Sequence, residues 1–132
     1  MAYSLRKREK EFHKFFRHIP EDEILLRDYS CAYSKDMLLY QGRLYMSVNW
    51  FCFHVNMLGP RHQVAIRFDE ILCLAKQKTA LFIPNAIEVT TDKRKYFFTT
   101  FNNRNHTFSD CLRIWQNAVQ GKVRGHCIII LP

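Results

Sequence analysis

Between Leu26 and Phe101 the chain is cut into short runs rich in aromatic and β-branched residues, with polar or Gly/Pro punctuation about every ten residues. That spacing points to an antiparallel sandwich or barrel, because strands this close together leave no room for crossover helices. Seven strands are expected, at Leu26–Tyr33, Leu38–Ser47, Trp50–Asn56, Gln63–Phe68, Ile71–Lys76, Asn85–Thr91 and Lys95–Phe101. The tightest turn is expected at Val48–Asn49, where Asn tolerates the positive φ of a two-residue hairpin. After Asn103 the period lengthens to that of a helix: Phe108, Leu112, Trp115 and Val119 share a face, with Cys111 beside them and Gly121 as a stop. A helix from about Asn103 to Gln120 should cap the sheet.

Ahead of the strands, Phe12, Phe15, Phe16 and Ile19 recur at helical spacing among Arg6, Lys7, Arg8, Lys10 and Lys14, interleaved with Glu9 and Glu11. An amphipathic helix is expected over Ser4–Ile19, ended by Pro20 and followed by the acidic connector Glu21–Asp22–Glu23. The expected organisation is a basic N-terminal helix over 1–20, one domain over 21–120 and a tail over 121–132. The tail ends in Ile128–Leu131, and the longest apolar runs anywhere in the chain are a handful of residues, far short of the ~20 a spanning helix requires. The basic N-terminus lacks the apolar stretch of a signal peptide, so a cytosolic protein is expected.

A chain of 132 residues that is 48% hydrophobic can bury a real core. Its five cysteines, Cys31, Cys52, Cys73, Cys111 and Cys127, are odd in number and widely spaced. The first three lie in apolar runs, so reduced, shielded thiols are expected. No phosphate loop, nucleophile elbow or zinc-protease motif is present. Cys52 and His54 share a strand face at i, i+2, but no second ligand pair stands at metal spacing. Neither catalysis, a metal nor a cofactor is therefore expected. The net charge of +8 favours a polyanionic partner, lipid headgroups or nucleic acid. Nucleic acid is disfavoured because the aromatic residues sit in core-like strand alternation rather than on a groove.

Several ordered segments carry a family resemblance: Asp28-Tyr29-Ser30-Cys31-Ala32, Tyr40-Gln41-Gly42-Arg43-Leu44-Tyr45, Asn49-Trp50-Phe51-Cys52-Phe53, Lys78-Thr79-Ala80, Ile83-Pro84-Asn85-Ala86-Ile87 and Phe97-Phe98-Thr99. With Glu11-Phe12-His13-Lys14-Phe15-Phe16 before them and Arg113-Ile114-Trp115-Gln116-Asn117-Ala118 after, the chain from about Lys10 to Val119 resembles a GRAM domain, most of all those of the Aster group. The resemblance implies a PH-like seven-stranded β-sandwich or barrel capped by a C-terminal α-helix. It also implies binding of anionic lipids, phosphatidylserine or phosphoinositides, peripherally at cytosolic membrane surfaces such as endoplasmic reticulum–plasma membrane contact sites. Aster proteins also carry a sterol-transfer domain and a membrane anchor. These residues supply neither, so sterol transport is not expected of them.

In a PH-like barrel the loops after the first, third and sixth strands share one open mouth. Here they carry Lys35, then Arg61 and His62, then Lys93, Arg94 and Lys95. Residues distant in sequence are thus expected to converge on one headgroup, arginine as a planar fork and lysine as a mobile charge. Asp36 and Asp92 dilute this field, and ordinary solvated loops are the competing reading. Met57 and Leu58 are the candidates for membrane insertion, set against folding back onto the barrel. Lys76 and Lys78 form a secondary basic candidate, and the N-terminal cluster is expected to be a solvated face. A PH-like fold without lipid, acting as a protein-interaction adaptor, is the functional alternative.

Overall fold

The computed structural model describes residues 3–56, 62–79, 83–120 and 127–129. Helix α1 (Tyr3–Phe15) precedes strands β1 (Leu25–Lys35), β2 (Leu38–Ser47), β3 (Trp50–Val55) and β4 (Gln63–Arg67). A single 3-10 turn (Phe68–Glu70) leads to β5 (Cys73–Thr79), β6 (Ile83–Thr90), β7 (Lys95–Thr99), helix α2 (Arg104–Ala118) and a short β8 (Cys127–Ile129). The seven expected strands are all present. They form one sheet in the order β4-β3-β2-β1-β7-β6-β5-β8, antiparallel throughout except that β8 lies parallel to β5. The tail thus contributes a strand that the sequence reading left without a role.

Period-2 alternation decides which side chains enter the main core. In β4, Val64 and Ile66 point in while Gln63, Ala65 and Arg67 point out. Phe51, Phe53 and Val55 of β3 meet Phe98 of β7 and Leu44 and Met46 of β2. Helix α2 closes this core with Phe108, Cys111, Ile114 and Trp115, all buried. Its start is capped by the Asn103 side chain, which accepts from the His106 backbone N–H at 3.1 Å. The buried Arg104 donates from Nη1 to the carbonyls of Gln77 (2.9 Å) and Ala86 (3.2 Å), tying the helix to β5 and β6.

The other face of β3 is covered too, which explains why Trp50–Val55 is apolar almost throughout. Phe12, Phe16 and Ile19, at the end of α1 and just beyond it, form a small second core with Leu25, Tyr45 and Cys52. His54 stacks on Phe15 at 3.8 Å between ring centroids. Cys52 and His54 are therefore packing residues beneath α1, and no group of three metal-ligating side chains occurs among the described residues. Helix α1 ends at Phe15 rather than Ile19: after one more helical bond from Phe16 to Phe12, the Ile19 N–H turns to the Phe16 carbonyl.

Two expectations need correction. The Val48–Asn49 turn uses no positive φ; among the described non-glycine residues only Asp36, Met37 and Thr100 do. Instead the Glu23 carboxylate holds that turn, accepting from Ser47 Oγ (2.7 Å), the Asn49 N–H (2.7 Å) and Asn49 Nδ2 (3.0 Å). Cys73 is only half-buried, because β5 starts there with Leu74 in the inward position. Cys31, Cys52 and Cys111 are fully buried free thiols. Burial pushes all three thiols up, Cys111 to about 12. Since only the thiolate attacks a disulfide reagent, titration of the native protein at neutral pH should label Cys73 well before these three.

Gly42 is a position where no side chain fits. A Cβ there would stand 2.6 Å from Phe53 Cζ and closer still to the His54 carbonyl oxygen across the β2–β3 pair. Gly42→Ala is expected to lower stability by ~1–3 kcal/mol or more, read as a lower urea midpoint.

Candidate functional site

Strand pairing gathers the basic turns at one end of the sheet. The β1–β2 ladder runs out to Lys35 opposite Leu38, and β7 pairs with β1 only as far as Ser34 opposite Phe97. The turn between β6 and β7 therefore lies alongside the β1–β2 turn. Aromatic contacts join them: Tyr33 of β1 stands 6.4 Å from Tyr96 of β7 between ring centroids, and the Arg94 guanidinium lies 5.8 Å over the Tyr96 ring. Burial pushes the Tyr33 hydroxyl up, and Arg94 beside it pulls the other way.

Thr91 sets the β6–β7 turn. Its backbone N–H donates to the Arg94 carbonyl at 3.0 Å, and its hydroxyl accepts from the Lys93 (3.2 Å) and Arg94 (3.4 Å) N–H groups. A buried threonine thus fixes the direction in which the exposed Lys93, Arg94 and Lys95 leave the fold. The exposed Lys95 lies 4.0 Å from the half-buried Glu88, a long contact worth little energetically. Sequence reading passed over Thr91 because a lone threonine after a strand has no distinctive pattern.

His62, which precedes β4 in the turn from β3, has its ring 4.1 Å from that of Tyr40 on β2. Since Tyr40 is the cross-strand partner of Tyr33, His62 joins the same aromatic array. The structure so brings Lys35, His62, Lys93, Arg94 and Lys95 to one end. Arg61, Met57 and Leu58 lie outside the described residues.

Lys76 and Lys78 belong elsewhere. Lys76 Nζ lies 5.4 Å over the Phe108 ring of α2, and Lys78 is near the far end of β5. The eight-residue β6 separates that end from the β6–β7 turn, a strand length of roughly 25 Å. In the N-terminal cluster, Arg8 pairs with Glu11 (2.7 Å) and reaches Asp28 (3.5 Å), which also binds Arg43 (2.7 Å). Part of that cluster thus fastens α1 to the sheet. A further charged group was not foreseen: Asp110 on α2, 5% exposed, accepts from the Tyr29 hydroxyl and from Arg113 (2.5 Å), with Arg27 at 3.4 Å. It locks α2 to β1.

Among the described residues no helix is long and apolar enough to cross a membrane. Protein Aster-B of Homo sapiens is 45% identical over 122 residues, covering 92% of this chain but only 16% of that protein. A solved C-terminal domain of an unknown protein from Leishmania infantum superposes with a TM-score of 0.73 at 31% identity, over 81% of this chain and 96% of that one. The Vps36 N-terminal PH domain superposes at 0.60 with 10% identity, covering 76% and 85% of the two chains, which shows the shared fold. The GRAM domain family model matches residues 10–120, and the chain belongs to the GRAM domain family.

Proposed function

We propose that the chain is a non-catalytic membrane-targeting module that binds anionic phospholipids, phosphatidylserine or a phosphoinositide, at the cytosolic surface of membranes, including endoplasmic reticulum–plasma membrane contact sites. The observation that carries this reading is the convergence of Lys35, Lys93, Arg94 and Lys95 on one end of the sheet. Family membership supports it. Each basic residue near an anionic surface contributes ~1 kcal/mol, so four give ~4 kcal/mol. That corresponds to roughly millimolar affinity before any apolar contact, suited to sensing a membrane in concert with other attachments.

Co-sedimentation with neutral phosphatidylcholine vesicles, and with vesicles containing phosphatidylserine, phosphatidic acid or phosphoinositides, tests the reading. Binding should require anionic lipid and weaken as salt rises. Equal recovery with neutral and anionic vesicles, or none with either, would overturn it in favour of a protein adaptor.

A further inference from the structure

The turn between β1 and β2 combines two features that folding alone does not call for. Met37 is 100% exposed, and Leu38 and Leu39 are 57% and 61% exposed. Strand alternation would normally turn one of two adjacent leucines inward. Here neither has an interior to enter, because β7 leaves β1 at Ser34 and β3 first pairs with β2 at Gly42. The end of the hairpin stands clear of the sheet as a two-stranded arm. Its turn residues, Asp36 at φ 52° and Met37 at φ 68°, both adopt the left-handed conformation. Glycine or asparagine would take Met37's place with less strain.

The surroundings of this arm indicate what covers it. Lys35 is at its base, and Lys93, Arg94 and Lys95 project from the adjacent turn. Asp36 beside Met37 and Asp92 in the adjacent turn offset part of this charge, but four cations against two carboxylates leave the rim positive, and an apolar tip with such a rim matches a surface with anionic headgroups above a hydrocarbon layer. A partner protein with an apolar pocket would have to present a ring of acidic groups as well.

We infer that Met37, Leu38 and Leu39 form a wedge that enters the acyl region of an anionic bilayer while the neighbouring lysines and arginine remain at the headgroups. This rests on the membrane reading above and adds to it a depth and a named element. The headgroup contacts are screened by salt, whereas the wedge is not.

Two measurements test it. The first uses Met37→Asn, Leu38→Thr and Leu39→Thr together, which removes the apolar tip without adding charge and keeps residues suited to the turn and strand. Binding to phosphatidylserine-containing vesicles at about 0.5 M salt, where the screening length is about 4 Å, should fall by about tenfold or more. At low salt the loss should be smaller. In the second, Met37→Trp is bound to vesicles whose acyl chains carry bromine. Its emission should be quenched beyond that of the parent, whose Trp50 lies at the opposite end of β3 and whose Trp115 is buried. Undiminished salt-resistant binding by the polar variant, or equal quenching of Met37→Trp and parent, overturns the wedge while the anionic-surface reading stands. A parent that binds no anionic vesicle overturns both.

Discussion

Replacing Trp115 with alanine is expected to cost ~3–5 kcal/mol, seen as a lowered urea midpoint with little change in slope. The side chain is 1% exposed and sits in the main core. Helix α2, which carries it, packs against β2, β6 and the 3-10 turn. The sheet order places β4 and β5 apart, with no ladder between them, so this side of the core is filled by α2 rather than closed by strands. A cavity at Trp115 would remove contacts from both halves of the sheet at once. Domains of this size are stable by ~5–15 kcal/mol, so the variant should be near the limit of folding at physiological temperature. Gln116→Ala, on the exposed side of the same helix, should change the midpoint by less than ~0.5 kcal/mol. A midpoint unmoved by Trp115→Ala would remove α2 from its capping role.

Reversing Lys35, Lys93 and Arg94 to glutamate should abolish detectable binding to phosphatidylserine vesicles. Three reversals remove ~3 kcal/mol of attraction and set repulsion of similar size in its place, a loss of at least ~100-fold. Stability should hardly change, since Lys93 and Arg94 are exposed on a turn whose geometry rests on Thr91. The informative comparison is with reversal at Lys76 and Lys78, or at Arg6, Lys7 and Lys10, which alters net charge by a similar amount at other places. Those proteins should bind almost as the parent does. If they lose binding while the mouth variant keeps it, the headgroup surface is on α1 or beside α2, and the proposed site is wrong.

Periodicity along the chain was enough to foresee seven strands and two helices, because each rests on neighbours two to four residues away. The alternation of Val64 and Ile66, or the helical recurrence of Phe108, Leu112 and Trp115, is visible without knowing what lies opposite. The likeness of Lys10–Val119 to GRAM domains added the order of the loops, which is what placed Lys35 and Lys93–Lys95 together on paper. Other features had no local signature. Glu23 read as one of three acidic connector residues, yet its carboxylate shapes a turn 26 residues further on. Arg104 and Asp110 carry no pattern that sets them apart from other charges on a helix, yet both are buried, against carbonyls of β5 and β6 and against Tyr29 of β1. Cys73 reads as a shielded thiol in an apolar run, Met37 as a loop residue and Leu38 and Leu39 as the start of a strand. Their burial depends on where β5 starts and on where β7 and β3 leave the β1–β2 hairpin. Period and propensity act over a few residues, and so the amino-acid sequence alone determined seven strands and two helices and which face of each is apolar, but not β8, which forms only by pairing with β5. Burial and charge pairing depend on which distant segments meet, and so only the tertiary structure decided which polar groups bind the elements together and which apolar ones are left facing outward.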